Sequence, residues 1–512
     1  MNSDKEKESS DAMRSQDGYG SEMPRDPDAH LSAEEKAEVE RKLLWKLDWM
    51  LLPWLSFLYL LAFLDRTNIG NAKIAGLSKD LGLSVSRYNA TLTIFFVSYA
   101  VFEPITNILL KRLRPSIFLP IIIYGLPFAW YSSANNPRVL WGASMLGMGF
   151  VKNWSGLMAA RWFLGLTEAG LFPGVNYYLS CWYKRSEFGV RAAIFFSAAA
   201  ISGSFGGLLA AAIEQMDGIR GIRGWAWIFI LEGLLTIVVG IISFWMVHDF
   251  PDDAKFLSED DRARIIRRLK LDQQASADHE KFQMSFFWQA LRDWKMWLGM
   301  AIYMGCDMPL YAFSLFLPTI INNLGWNTSV VRSQLMSVPP YAAAAILTVI
   351  IGFVADRTRA RGLCNILVSL LGVAGFAMLL ATDNAAVQYA GTFLAALGIY
   401  PCISNTITWV ANNVEGVYKR GVVLGFVIGW GNLNGIVSSN IYFNGPRFPE
   451  GHGVIMAYLA IFLFGGSVLM SWLLRRENAK RKRGERDHWV EGLSEKEVEK
   501  LGDMRPDFLY TV

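Results

Sequence analysis

Twelve runs of apolar residues fill most of this chain, and nearly all have the length that a bilayer-crossing helix requires. About twenty consecutive apolar residues cross a hydrocarbon core of roughly 30 Å. In the first half the runs lie near 48–66, 88–110, 117–151, 157–180, 192–213 and 225–247. In the second half they lie near 297–321, 335–355, 363–382, 387–410, 421–443 and 453–474. The sequence therefore predicts an all-α membrane protein with twelve transmembrane helices.

The charged residues are distributed in a way that excludes an ordinary cytosolic enzyme. Of 94 charged residues, 58 lie in 1–47, 248–295 and 475–512, three stretches that total 133 residues. The other 379 residues carry the remaining 36 charges, too few to cover a surface that faces water. Because the basic residues lie in short flanks, the net charge of +4 does not indicate nucleic-acid binding. We expect a lipid bilayer, and no nucleic acid, as the surroundings of this chain.

The same pattern predicts five segments and an orientation. These are a cytoplasmic, largely disordered tail (1–44), a six-helix bundle (45–247), a cytoplasmic linker (248–295), a second six-helix bundle (296–474) and a cytoplasmic C-terminal tail (475–512). Lys and Arg are more frequent in the loops that are inside if the N-terminus is cytoplasmic. An even number of spans then places both termini in the cytoplasm, and we expect a plasma-membrane location.

The third run is too long for one crossing. Residues 117–151 would form a helix of about 52 Å at 1.5 Å per residue. The middle of this run contains Pro127, Pro137 and a polar turn, which interrupt helices. We interpret residues 126–140 as an insertion, either genuine or an unspliced intron carried into the gene model. A transcript that lacks these codons would identify the second case.

A few charged residues lie inside the predicted helices, where each is a functional candidate because a charge in the membrane core is costly. They are Asp65, Arg66, Glu103, Arg161, Glu168, Glu232 and Asp307. A carboxyl held between desolvation and a neighbouring guanidinium can exchange a proton near ambient pH. We therefore expect Asp65 and Glu168 to face a common cavity and to carry protons.

Arginine suits the substrate-binding part of such a site, since a guanidinium stays charged and binds a carboxylate through two hydrogen bonds. Arg66 or Arg161 is expected to hold an anionic substrate. The alternative for Arg161 and Glu168 is a buried ion network that locks the helices together. For Glu103, Glu232 and Asp307 the main alternative is a helix-end or packing role.

Neutral polar side chains are dense in the second half and suit hydrogen bonding to a small polar ligand. The residues predicted to contact substrate through amide or indole groups are Asn68, Asn405, Trp409, Asn432 and Asn434. Four aromatic residues could sandwich a flat ring: Tyr99, Tyr303, Tyr311 and Trp409. Hydrogen bonding between neighbouring helices is the competing interpretation of the polar residues.

Three motifs in this chain resemble signatures of a known transporter family. Leu64-Asp-Arg-Thr-Asn-Ile-Gly-Asn-Ala72 resembles the first-helix signature of the anion:cation symporter branch of the major facilitator superfamily. Arg161-x₃-Gly165-x₂-Glu168-Ala-Gly-Leu-Phe-Pro-Gly174 is similar to the fourth-helix signature of its fungal allantoate permease subfamily. A third match is Asn412-Asn413-x-x-Gly416-x-x-Lys419-Arg420. The similarity extends over about 45–475.

This resemblance implies two pseudo-symmetric six-helix bundles that alternate access to a central cavity. It also implies proton-driven uptake of small organic anions such as nicotinate, allantoate, ureidosuccinate or pantothenate. By the same resemblance, Asp65 and Glu168 carry the proton and Arg66 engages the substrate carboxylate. The gating-loop motif of the superfamily matches Gly352, Asp356, Arg357 and Arg361, whereas its first-half counterpart, Asn107-x₃-Lys111-Arg112, lacks the aspartate.

The resulting hypothesis is a secondary active transporter for a small organic carboxylate. It needs no metal and no cofactor other than protons as the coupling ion, and we expect a monomer. The alternatives are a proton-independent facilitator or exchanger, and a transporter-like nutrient sensor, against which the short C-terminal tail argues. An enzyme is not expected, because the sequence has no HExxH motif and no GxSxG motif with a plausible triad.

Overall fold

The computed structural model describes residues 25–112, 116, 141–271, 284–324, 329–443, 445–494, 498 and 501–512, and within these ranges the fold is built from helices without strands. The first half contains α1 (Ala33–Ala72), α2 (Val85–Arg112), α3 (Trp141–Met148), α4 (Trp154–Glu168), α5 (Leu171–Ser180), α6 (Arg185–Ile213) and α7 (Gly224–Met246). Two helices follow in the linker, α8 (Glu259–Leu271) and α9 (Met284–Arg292). The second half contains α10 (Trp294–Asn322), α11 (Val330–Thr358), α12 (Arg361–Ala381), α13 (Ala385–Asn412), α14 (Val417–Leu433), α15 (Gly435–Ser438), α16 (Pro449–Ala457) and α17 (Gly466–Lys482).

The long helices coincide with the apolar runs of the sequence. Within the described ranges, nine helices are long and apolar enough to cross a membrane. The run 88–110 corresponds to α2, and the run 157–180 corresponds to α4 and α5, which are separated at Ala169–Gly170. Of the run 117–151, only the part from 141 onward is described, as α3 and the turn after it. The proposed insertion at 126–140 therefore lies outside the described residues. Helix α3 begins directly after it, at Trp141.

The first helix begins earlier than the first apolar run. Ser32 and Glu35 form a capping box, in which the Glu35 amide donates to Ser32 Oγ at 3.3 Å and the Ser32 amide donates to Glu35 Oε2 at 2.8 Å. This arrangement satisfies two backbone donors that a helix start leaves without partners. As a result, α1 begins at Ala33, inside the segment predicted as a tail.

Helices α6 and α11 run antiparallel along one another and join the two halves of the chain. Small residues line the contact: a Cβ on Gly203 would lie 2.7 Å from the Tyr341 ring, and one on Gly207 would lie 2.5 Å from the backbone oxygen of Gln334. Helices can approach this closely only where no side chain intervenes. The two halves are therefore in direct contact over the length of α6.

The linker helix α8 is tied to the first half by ion pairs. Arg268 binds Glu40 of α1 and Glu187 of α6, each at 2.7 Å, and Lys46 binds Asp261 at 2.8 Å. Burial raises the pKa of Asp261, but the hydrogen bond and charge of Lys46 outweigh this effect and lower the pKa overall. These ion pairs therefore attach helix α8 of the linker to helices α1 and α6 of the first half.

The C-terminal segment, residues 501–512, is packed against the second half. Asp503 is fully buried and binds Lys295 of α10 at 2.6 Å and Lys419 of α14 at 2.7 Å. Near the end of the chain, the carbonyl oxygen of Thr511 accepts hydrogen bonds from Trp409 Nε1 and Asn413 Nδ2, both at 2.9 Å. The segment therefore connects α10, α13 and α14.

Candidate functional site

A buried ion pair between α1 and α4 forms the centre of the candidate site. Arg66 Nε and Nη2 donate to Glu168 Oε1 at 3.0 and 2.5 Å. Both side chains are nearly inaccessible, at 4% and 1% exposure. Glu168 is the last residue of α4, and a new helix starts at Leu171, so its side chain stands at an interruption of the helical backbone. Two of the sequence candidates are therefore direct partners.

Aromatic rings enclose the Arg66 guanidinium. Its central carbon lies 4.9 Å from the centre of the Tyr99 ring, 5.3 Å from the rings of Phe95 and Tyr311, and 5.8 Å from the ring of Phe63. Ring faces attract cations electrostatically, more strongly where water is excluded. These rings orient the guanidinium and stabilise its charge in an otherwise apolar region.

A chain of hydrogen bonds leads from Arg66 into the second half and back. Arg66 Nη1 donates to the Tyr311 hydroxyl at 2.7 Å, and this hydroxyl donates to Asn432 Oδ1 at 2.6 Å. Asn432 Nδ2 in turn donates to Glu103 Oε2 at 3.0 Å. The five residues, counting Glu168, come from α4, α1, α10, α14 and α2 in that order. The site is therefore shared between the two halves.

A second arginine lies beside this chain. Arg161 is fully buried, its Nη1 donates to the backbone oxygen of Arg66 at 3.4 Å, and its guanidinium lies 4.9 Å from the Phe95 ring. Its Nε and Nη2 have no hydrogen-bond partner among the described residues. Because a guanidinium stays protonated in proteins, these donors suit an anionic group. Arg161 is close to the Arg66–Glu168 pair without forming an ion pair with Glu168.

Asp65 belongs to a different cluster. Its Oδ2 accepts a hydrogen bond from Thr236 of α7 at 3.0 Å, while its Oδ1 has no partner in the described part of the chain. One turn along α1, the Asn68 amide donates to Glu232 of α7. Adjacent residues of a helix point about 100° apart, so Asp65 turns to α7 while Arg66 turns to Glu168. The two predicted proton carriers thus have different hydrogen-bond partners, Thr236 of α7 for Asp65 and Arg66 of α1 for Glu168.

Three of the predicted substrate contacts are engaged elsewhere. Asn405 Nδ2 donates to the backbone oxygen of Arg361 at 2.8 Å, which links α13 to α12. Trp409 binds Thr511, and Asn434 Nδ2 donates to a backbone oxygen of its own helix at 2.8 Å. Of these contacts, the one made by Asn405 corresponds to the competing interpretation, hydrogen bonding between neighbouring helices. Their role in substrate binding stays a prediction, whereas Asn432 is brought next to the Arg66 chain.

The gating-loop motif contacts the first half. Asp356 Oδ2 accepts a hydrogen bond from the Val190 amide in the first turns of α6 at 2.6 Å, and its other oxygen binds Arg361. Gly352 packs on α6, and Arg357 is exposed. The side chains of the first-half counterpart, 107–112, are not among those described.

Tyr311, Glu103 and Asp307 have more central positions than the sequence suggested. Asp307 is buried beside Gly431 of α14, and its Oδ2 has no partner among the described residues. Sequence spacing contains a signal for these positions, because Tyr99 and Glu103 on α2, and Asp307 and Tyr311 on α10, are pairs four residues apart. Such pairs lie on one helix face. The signal identifies a polar face but not its partner.

The chain is similar to membrane transporters over most of its length. The sequence profile of the Major Facilitator Superfamily matches residues 55–439. An uncharacterized transporter of Schizosaccharomyces pombe is 34% identical over 88% of this chain and 89% of the relative. The high-affinity nicotinic acid transporter of Saccharomyces cerevisiae is 33% identical over 92% of this chain and 85% of the relative.

A solved structure shares the fold. The inward-facing, unoccupied form of a bacterial homolog of the human lysosomal transporter Spinster superimposes with a TM-score of 0.60, covering 82% of this chain and 95% of the other, at 15% identity. The predicted fold class, an all-α membrane protein with twelve transmembrane helices in two six-helix bundles, is confirmed by these similarities together with the helices described above.

Proposed function

Because this chain belongs to the major facilitator superfamily, we propose that it takes up a small organic carboxylate together with protons by alternating access. Family membership makes the chain a multi-pass membrane transporter and not an enzyme. The observation that carries the finer proposal is the buried Arg66, which is held by Glu168 of its own half and by Tyr311 of the other half. A relative named as a nicotinic acid transporter makes nicotinate the first acid to test.

The Arg66–Glu168 pair offers a simple coupling rule. While Glu168 is ionised, its Oε1 occupies two of the guanidinium donors. A proton on Glu168 removes the charge that competes with a substrate carboxylate for Arg66. Proton binding and acid binding then favour one another, and this linkage is reciprocal by thermodynamic necessity. Loss of the proton on the other side of the membrane restores the pair and releases the acid.

Asp65 has a separate part in this proposal. It lies next to Arg66 in sequence but hydrogen-bonds to α7, as does the neighbouring Asn68, which binds Glu232. Protonation of Asp65 would therefore change how α1 packs on α7 instead of changing which groups compete for the donors of Arg66. In this scheme Glu168 controls acid binding and Asp65 controls the movement of α1.

The test compares uphill uptake with exchange in reconstituted vesicles. Asp65→Asn and Glu168→Gln should abolish accumulation of nicotinate driven by a proton gradient, because the neutral amide cannot carry a proton through the cycle. Exchange of labelled for unlabelled acid should survive in at least one of them. The matched control is Glu259→Gln at an exposed position of α8. Full accumulation in both variants would remove the proton-carrier assignment.

Two alternatives give different results in the same vesicles. A proton-independent facilitator or exchanger would show uptake that a protonophore and the external pH leave unchanged. A nutrient sensor would bind the acid without moving it. We further propose a plasma-membrane location with both termini in the cytoplasm, protons as the coupling ion, and a monomer as the transporting unit.

A further inference from the structure

The Tyr311 hydroxyl occupies a donor of Arg66 that a substrate acid would need. Glu168 takes the edge of the guanidinium formed by Nε and Nη2. Nη1 donates to the Tyr311 hydroxyl at 2.7 Å, and within the described residues Tyr311 is its hydrogen-bond partner. The ring of Tyr311 itself lies 5.3 Å from the guanidinium. Tyr311 therefore contacts Arg66 both through its ring and through its oxygen.

The remaining edge of the guanidinium, formed by Nη1 and Nη2, is the edge that a second carboxylate would bind while Glu168 stays hydrogen-bonded to the first edge. Carboxylates bind arginine through two parallel hydrogen bonds to neighbouring nitrogens. The rings of Phe95 and Tyr99 lie 5.3 and 4.9 Å from the guanidinium and restrict approach toward its faces. An acid that binds this edge through two oxygens must take Nη1 from the Tyr311 hydroxyl.

Asn432 fixes the direction of the Tyr311 hydroxyl. The hydroxyl donates its hydrogen to Asn432 Oδ1 at 2.6 Å, so its lone pairs are left to accept from Arg66. Asn432 is itself held by Glu103 at 3.0 Å. The hydroxyl thus acts as an oriented acceptor, which is the role that a carboxylate oxygen plays toward arginine.

We propose that Tyr311 is a specificity-determining residue that competes with the substrate carboxylate for Nη1 of Arg66. This inference rests on the proposed function. Arg66 belongs to the first half and Tyr311 to the second. Exchange of the hydroxyl for the acid therefore removes one hydrogen bond between the halves when substrate binds. Ligands without a carboxylate do not take Nη1 from the hydroxyl, so the competition lowers the affinity for acids and leaves the affinity for neutral analogues unchanged.

The experiment measures binding to purified protein in lipid nanodiscs with nicotinate and its uncharged amide, nicotinamide. Tyr311→Phe keeps the ring and removes the competing oxygen, so nicotinate should bind about threefold to tenfold more tightly, the usual net effect of one hydrogen bond. Nicotinamide affinity should change less than twofold. Tyr442→Phe is the matched control, because it also removes a buried hydroxyl, which bonds to His452 and lies outside the Arg66 chain.

Tyr311→Leu removes the same hydroxyl and must change the ratio of the two affinities in the same direction. Unchanged or weaker nicotinate binding in both variants would overturn the inference, and so would an equal gain for acid and amide. If the unmodified protein and its Tyr442→Phe control bind none of a panel of small acids, the proposed function itself fails. That result is distinguishable from a failure of the role of Tyr311 alone.

Discussion

Glu168, Tyr311 and four aromatic rings surround the Arg66 guanidinium and interact with its charge. Two of its nitrogens bind Glu168, a third binds Tyr311, and four aromatic rings lie within 5.8 Å of its central carbon. A lysine ammonium is a compact point charge on a flexible stem, without the planar fork of a guanidinium. At the residue scale, therefore, the geometry of the charge matters as much as its sign.

The corresponding prediction is that Arg66→Lys weakens binding of an acid far more than binding of its amide. The lysine keeps one positive charge but cannot bind Glu168 and a carboxylate through paired donors. Nicotinate affinity should fall by about tenfold or more, as the loss of a charge-assisted hydrogen bond predicts. Nicotinamide affinity should be nearly unchanged. Equal weakening of both ligands in a binding assay would argue against a carboxylate contact at Arg66.

At the scale of elements, the C-terminal segment holds several helices of the second half together. Asp503 bridges Lys295 and Lys419, and Asp293 lies 3.1 and 2.8 Å from the same two ammonium groups. Burial raises the pKa of Asp503, but the charges and hydrogen bonds of both lysines outweigh burial, and the pKa lies below its usual value of 3.8. Removing Asp503 would leave two buried lysines with one carboxylate.

We expect Asp503→Asn to destabilise the protein by about 3 kcal/mol, because removing one partner of a buried ion pair leaves the charge of the other partner uncompensated. A depressed pKa contributes stability that is complete above the unfolded value and is lost as the pH falls through the folded value. The difference in melting temperature between the two proteins should thus be constant from pH 8 to about pH 5 and shrink only in stronger acid.

Asp507→Asn serves as the control for this measurement, since the Asp507 side chain is 70% exposed. Equal melting temperatures of Asp503→Asn and the unmodified protein at neutral pH would contradict the docking of the segment. A difference that disappears between pH 8 and 6 would contradict the low pKa.

At the scale of the whole molecule, the contact between α6 and α11 decides how closely the two halves can approach. Glycines keep this contact short, and Gly207 faces backbone atoms of α11 that cannot rotate away. The same pair of helices carries the Asp356–Val190 hydrogen bond near its other end. Alternating access requires relative movement of the halves, so this contact must be formed and broken during transport.

Gly207→Ala is predicted to destabilise the arrangement described here by about 1–3 kcal/mol, because an added methyl group would overlap the α11 backbone. The melting temperature in detergent should fall, and the transport rate should change with it. Gly425→Ala on α14 is the matched control, because a Cβ there meets nothing within 4 Å. Similar melting temperatures for both variants would show that the α6–α11 contact has room for a methyl group at position 207.

The sequence predicts the membrane-spanning helices and the charged residues within them, because the cost of a charge in lipid is a local property. It could not pair Arg66 with Tyr311, which is 245 positions away, since nothing local selects a partner helix. The break between α4 and α5 was also not predicted. The polar C-terminal tail suggested a solvated segment, and only the fold brings Lys295 and Lys419 to Asp503.

The docked C-terminal segment has a practical consequence for experiments on this protein. Thr511 is hydrogen-bonded to Asn413 through both its amide and its carbonyl oxygen. A fluorescent reporter or affinity handle fused directly after Val512 would have to emerge beside these bonds and would strain them. Recombinant versions should carry such fusions at the N-terminus, with the Asp28–Arg264 ion pair kept intact, or behind a long flexible spacer after Val512.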